Sequence, residues 1–203
     1  LVVSDDDVWR DQFYNGNIKK GRGAIVLRLA KSWFHIGSLE ILTYSGELDL
    51  LRRLLDFIIQ EYFPSIALHD SNRCLEFFST VMSETANFIS LWISVGFAHG
   101  VCNTDNFYLL SMAIDYGPIG FMDSYDTSEY FVPNTSNDER RYKIGNQASA
   151  GLFNLSKLLQ ALKPLLDPRQ KQLFTELFKT KLGLLGENDN YLIAFLLKVS
   201  LLC

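Results

Sequence analysis

The sequence has 203 residues, of which 48% are hydrophobic and 21% charged, a composition typical of a folded domain with its own core and unlike that of a disordered chain. The net charge of −4 provides no basic surface, so we expect no nucleic-acid partner. The most apolar stretch, residues 88–97, is too short to span a bilayer, and we expect a buried helix there and no membrane partner.

The first 45 residues are predicted to contain short strands. Residues 1–20 mix charged, aromatic and turn-forming side chains, and Asn15-Gly16 predicts a turn. Residues 23–29 read GAIVLRL, and their aliphatic and β-branched side chains predict a strand. Residues 32–39 fit either a second extended piece or a loop.

Helical periodicity dominates the chain from residue 46 onward. Residues 47–62 place leucine and isoleucine at three- and four-residue steps, and Pro64 follows the end of the pattern. Pro168 fits the first turn of a helix, and Gly183 fits a helix C-terminus. The predicted helices cover residues 47–62, 71–95, 146–165, 168–182 and 190–202. The sequence therefore predicts a mostly helical α+β domain.

A loop and a short apolar segment separate the second and third predicted helices. Residues 98–106 are predicted to be a loop, because they follow the long helix and contain turn-forming residues. Residues 107–114 are apolar and short, which predicts a strand that can serve as one arm of a hairpin. Residues 124–145 are polar and are predicted to be a loop.

Polar side chains cluster around this apolar segment. Asp105 and Asn106 precede it and Asp115 ends it. Amide and carboxylate oxygens suit Mg²⁺ or Mn²⁺, and Asp105 is placed to accept a proton from a hydroxyl, a division of roles also found in protein kinases. Kinases, however, separate the base from the metal-binding Asn by four residues. The spacing alone favours two ordinary turns, since Asn, Asp, Gly and Pro dominate turns.

A longer pattern surrounds these residues. Residues 99–106 read HGVCNTDN, and residues 114–123 read IDYGPIGFMD. Together they resemble the signature of the selenoprotein O family, the YdiU-type proteins, and agreement elsewhere extends the resemblance over nearly the whole chain. The resemblance implies a protein-kinase-like fold. Residues 46–203 would be its helical C-terminal lobe, with a small β hairpin at the catalytic loop, and residues 1–45 would be the lobe junction.

The resemblance also implies an activity, the transfer of AMP from ATP to Ser, Thr or Tyr hydroxyls of protein substrates. By the motif, Asp105 would accept the hydroxyl proton, and Asn106 and Asp115 would bind Mg²⁺ or Mn²⁺. Asp115 would also approach the ATP phosphates through the metal, and Arg28 would contact the nucleotide. His35 stands where the family has a second nucleotide-binding arginine, and it is the shorter side chain. Family members act in the response to oxidative stress; eukaryotic ones are mitochondrial, the expected location here, and bacterial ones are cytoplasmic.

One part of the family pattern is unmatched. No Gly-rich loop with a phosphate-binding Lys and its Glu partner is recognisable, so we expect the nucleotide lobe to lie upstream and the chain alone to bind ATP weakly. Two alternatives to AMP transfer remain open, namely a kinase-type phosphotransferase and a catalytically inactive regulatory or interaction module.

Two other residues of the loop are given structural roles. His99 is expected to brace the loop backbone. Cys102 is expected to pack as a small apolar side chain rather than to take part in redox chemistry.

Overall fold

The computed structural model describes residues 2–11, 16–114, 117–124, 131–134 and 141–183. These ranges form an α+β protein, which confirms the predicted class, although only about half of it is helical where a mostly helical domain was predicted. The helices are α1 (Ile36–Tyr44), α2 (Leu48–Tyr62), α3 (Arg73–Ser94), α4 (Gln147–Leu162) and α5 (Pro168–Gly183). The strands are β1 (Val2–Arg10), β2 (Lys19–Ile25), β3 (Phe97–Ala98) and β4 (Gly120–Phe121). No helix in the described ranges is both long enough and apolar enough to cross a membrane.

The first sheet is an antiparallel pair of β1 and β2, whose register shifts between Val3 and Asp7. The short strands predicted within residues 1–45 were not placed over β1, where charged, aromatic and turn-forming side chains are mixed. The strand forms nonetheless, because most of its side chains are exposed and charge there costs little. The predicted strand over residues 23–29 is displaced, since β2 ends at Ile25 and Leu27 and Leu29 lie beyond it, exposed. A turn was predicted at Asn15-Gly16. The structure describes only Gly16 of this pair, and its φ is +83°.

Residues 32–35 are non-helical, as predicted, but residues 36–39 begin helix α1 instead of continuing the extended piece or loop. The His35 side chain caps the helix, because its Nδ1 accepts the Ser38 N–H at 3.1 Å. Ile36 and Leu39 are buried, and the Thr43 hydroxyl donates to the Ala161 carbonyl of α4 at 2.8 Å. The prediction was wrong for residues 36–39 because a histidine cap is uncommon and the apolar pattern spans only two turns.

The other helices follow their predicted ranges, apart from residues 190–202, which lie outside the described residues. They enclose one core, in which Phe77 and Phe78 of α3 are fully buried. Helix α4 lies close against α3 at Gly151, where an added Cβ would overlap the Ile89 side chain. The core therefore forms a rigid support beneath the loop that follows α3.

Residues 107–114 do not form the predicted strand. Tyr108 makes one bridge to His35, and the chain then turns, with Ser111 at φ +51°. Phe107, Leu109 and Ala113 are buried, so the apolar character of this segment reflects core packing of an irregular segment rather than a strand. A hairpin does flank the loop, but it is built by β3 and β4. Most of the predicted loop over residues 124–145 lies outside the described residues.

Candidate active site

The loop after β3 ends in a tight turn centred on Asn103. Its side-chain Oδ1 accepts the backbone N–H groups of Asp105 at 3.2 Å and Asn106 at 3.1 Å. An asparagine that binds the backbone in this way fixes a turn. The turn expected from the spacing is therefore real, and it holds Asp105 and Asn106 in a defined orientation.

Asp105 projects to the surface beside the first turn of α1. Its side chain is 73% exposed, although the loop backbone beneath it is fixed to α1, with the Gly37 N–H donating to the Thr104 carbonyl at 3.1 Å. A Cβ on residue 37 would overlap the Asp105 carboxylate. Gly37 therefore provides the space that the carboxylate occupies, which leaves Asp105 open to an incoming hydroxyl.

His35 lies next to this carboxylate, with 3.6 Å between its Nδ1 and the Asp105 Oδ1. Because Nδ1 accepts the Ser38 N–H, it carries no proton in this arrangement and cannot also donate to Asp105. The 3.6 Å contact is therefore a close approach and not a hydrogen bond. Contact of His35 with a nucleotide stays a prediction.

Asn106 is held more tightly than its neighbour. The residue is 8% exposed, and its Nδ2 donates to the Val101 carbonyl at 3.0 Å. Because the amide nitrogen is used in this way, the Oδ1 atom is the one presented to a ligand. This is the atom a hard cation requires.

Buried amide side chains hold the loop from the side of α4. Gln147 accepts the His99 N–H at 2.9 Å and donates to the Phe97 carbonyl at 2.9 Å. Asn154 donates to the Cys102 carbonyl at 3.2 Å. Both side chains are fully buried, so their hydrogen bonds are made in a low-dielectric interior where a lost partner is costly. They fix the loop that carries Asp105 and Asn106.

Gly100 is required where the loop changes direction. It has φ +82°, and an added Cβ would overlap the Pro118 carbonyl. Its own carbonyl accepts the buried Asn134 amide at 2.9 Å. The loop thus passes directly over the segment that leads into β4.

His99 and Cys102 are buried in the same loop. The imidazole stacks on Trp92, with 5.4 Å between ring centroids, and its Nδ1 accepts the Val101 N–H at 3.3 Å, in agreement with a bracing role. Burial raises the pKa of the Cys102 thiol to about 12, so it is protonated at neutral pH and packs as an apolar group.

Arg28 joins the segment after β2 to the end of the irregular apolar segment. Its guanidinium donates to the Ala113 and Ile114 carbonyls, both at 3.0 Å. These carbonyls immediately precede Asp115, which itself lies outside the described residues. Arg28 therefore positions the chain that leads to the proposed metal ligand, and its contact with a nucleotide stays a prediction.

Several of these residues were given no role by sequence reasoning. The predicted helix places Gln147, Gly151 and Asn154 on the same face as Leu158. Amide side chains on a face that is expected to be buried could have indicated hydrogen bonds to a neighbouring segment. Gly37 had no such signal, because its contact with Asp105 crosses 68 positions of sequence.

The described residues supply only part of the ligands that a divalent cation needs. The described residues contain no group of three or more His, Cys, Asp or Glu side chains close enough to hold a metal. The Asn106 oxygen described above and an Asp115 carboxylate would instead form a two-ligand site, the kind that Mg²⁺ uses when nucleotide phosphates and water complete its coordination.

Comparison with known proteins identifies the family. A family described as protein adenylyltransferase SelO matches residues 1–186. A protein nucleotidyltransferase YdiU from Cytophaga hutchinsonii is 43% identical over 84% of the chain and 33% of its own length. Proteins of the same name from Xanthomonas campestris and Flavobacterium johnsoniae are 42% and 38% identical, over 81% and 95% of the chain. The chain spans 32% to 40% of the length of these relatives. With the match covering most of its residues, the chain belongs to the SelO family.

Proposed function

We propose that the protein transfers AMP from ATP to Ser, Thr or Tyr hydroxyls of other proteins, within a protein-kinase-like fold. The observation that carries the proposal is the placement of Asp105. Its carboxylate is open to solvent, while its backbone is held by the Asn103 turn. The names of the family and of its relatives support a nucleotidyltransferase reaction.

In this reaction the acceptor hydroxyl attacks the α-phosphorus of ATP. The new oxygen–phosphorus bond forms as the bond to the β-phosphate oxygen breaks, and pyrophosphate leaves. Asp105 accepts the hydroxyl proton, a role that requires a carboxylate within hydrogen-bond reach of the acceptor. Gly37 leaves room for that carboxylate beside α1.

Asn106 and Asp115 would hold Mg²⁺, or Mn²⁺, near the phosphates. When bound, the ion neutralises negative charge that develops on the phosphate oxygens. The chain contributes a fixed amide oxygen, because Asn106 is anchored to the Val101 carbonyl. Arg28 supports the segment before Asp115 through two backbone carbonyls.

Label transfer from ATP tests the reaction. The longest product that the gene encodes is incubated with Mg²⁺, acceptor proteins and ATP labelled at either the α- or the γ-phosphate. Transfer of the α-label alone supports AMP transfer. Transfer of the γ-label alone shows a phosphotransferase, and no transfer at all shows the non-catalytic alternative; either result overturns the proposal.

Asp105→Asn tests the role of the carboxylate in the same assay. The amide keeps the size of the side chain but accepts no proton, so α-label transfer should fall about 10²–10⁴-fold. Asp49→Asn is the matched control, since Asp49 is an exposed aspartate on α2. Equal activity of the two variants would remove Asp105 from the mechanism.

A further inference from the structure

A groove of about 620 Å³ opens directly beside Asp105. Helix α1 forms one wall along its whole length, and Leu50 and Leu54 of α2 form the other. Asp105 and Thr104 close one end, next to the N-terminus of α1. The groove is thus continuous with the carboxylate that would accept the substrate proton.

The walls of the groove are apolar and open to solvent. Ile41 is 66% exposed and Tyr44 is 73% exposed, and both lie on the α1 wall with Leu42. Exposed apolar side chains grouped in a concave surface mark a binding site more often than scattered ones do. The groove therefore suits an apolar side chain of a partner.

The length of α1 sets the spacing that such a partner needs. At about 1.5 Å per helical residue, the path from Ser38 to Tyr44 covers about 9 Å. An extended peptide rises about 3.3 Å per residue, so about three residues span that distance. A hydroxyl at Asp105 and an apolar side chain near Tyr44 would be about three residues apart.

The charge around the groove selects among partners. Glu40, Asp105 and His35 are in the lining, and the described residues place no Lys or Arg there. An acidic segment would be repelled here, whereas Lys or Arg would be attracted. The groove is complementary to a basic and apolar segment.

We propose that this groove binds the acceptor protein, as an extended segment with an apolar side chain about three residues from the modified hydroxyl and with Lys or Arg beside it. The inference rests on the proposed function, since it assigns the acceptor to Asp105. It adds that the site prefers acceptor proteins whose modified hydroxyl lies in a basic and apolar segment.

Peptide binding tests the groove independently of catalysis. The full chain is titrated, without nucleotide, into fluorescent peptides that carry one Ser, a Leu three residues away and adjacent Lys. Anisotropy should show binding that weakens at least fivefold when Leu becomes Asp, or when the Lys residues become Glu. Equal affinity for all three peptides would overturn the proposal. Failure of AMP transfer with this binding intact would instead refute only the proposed reaction.

Two variants locate the binding site. Ile41→Asp should weaken binding of the Leu peptide at least fivefold, whereas Leu91→Asp, on α3 and 58% exposed, should not. Glu40→Lys should favour the Glu-containing peptide over the Lys-containing one. If Ile41→Asp leaves peptide affinity unchanged but alters the sedimentation mass of the chain, a second copy occupies the groove and the proposal fails.

Discussion

At the scale of single residues, Gly37 controls the position of the Asp105 carboxylate. In Gly37→Ala the added methyl would overlap the carboxylate and lie 3.1 Å from His35 Nδ1. Because the overlapping atom is the end of an exposed side chain, the carboxylate rotates away and the fold is retained. We expect α-label transfer to fall at least tenfold, while the midpoint of urea unfolding changes little.

Gly21→Ala is the control for this substitution. Gly21 lies in β2 with nothing within 4 Å of an added Cβ, so both transfer and stability should be unaffected. A Gly37→Ala protein that transfers AMP at the normal rate would show that Asp105 does not need its present orientation.

The site residues differ in how far sequence could reveal them. Asp105 and Asn106 were found through the motif around them, although their spacing alone predicted a turn. The turn is present, because the Asn103 side chain accepts the backbone N–H groups of both residues, whereas the roles of Asp105 as proton acceptor and Asn106 as metal ligand stay predictions. Gly37 could not be found, since local pattern carries no information on a contact with a residue so far along the chain.

At the scale of elements, α4 holds the loop through Gln147. Gln147→Leu keeps the volume nearly constant but leaves the His99 N–H and the Phe97 carbonyl without this partner. The loss of these two buried hydrogen bonds costs about 1–3 kcal/mol in total. We therefore expect a free energy of unfolding lowered by about 2 kcal/mol in urea titration, together with reduced AMP transfer.

The matched control is Gln172→Leu on α5. Gln172 is exposed and its side-chain amide donates to Glu176 at 2.9 Å, so its loss should change the free energy of unfolding by less than about 0.5 kcal/mol. Comparable unfolding curves for the two variants would mean that Gln147 does not support the loop.

Elements were predictable where their own periodicity was long. Helices α2 and α3 carry apolar stripes over 15 and 22 residues, and both were placed within about two residues. Helix α1 has nine residues and starts at a histidine cap, so its pattern was too short. The apolar run over residues 107–114 misled for another reason, since a short apolar segment packed into the core without regular structure has the same composition as a buried strand.

At the scale of the whole molecule, the buried Cys102 thiol links stability to alkaline pH. Its pKa is raised by burial from 9.0 to about 12, so the unfolded chain loses this proton at lower pH than the native protein does. The stabilisation is complete below about pH 9 and is lost as the pH rises towards about 12. Within that window, this group should lower the free energy of unfolding by up to about 1.4 kcal/mol per pH unit.

Urea unfolding at pH 8 and pH 10.5 measures this effect, with Cys102→Ala as the test variant. Removal of the thiol should make the loss of stability between the two pH values smaller than in the unmodified protein. Cys74→Ala is the comparison, because burial also raises the pKa of the Cys74 thiol but the neighbouring Arg73 guanidinium offsets part of the effect. It should therefore reduce the pH dependence less. The same pH dependence in Cys102→Ala and in the unmodified chain would show that the loop is open to water, contrary to the buried anchoring on which the position of Asp105 depends.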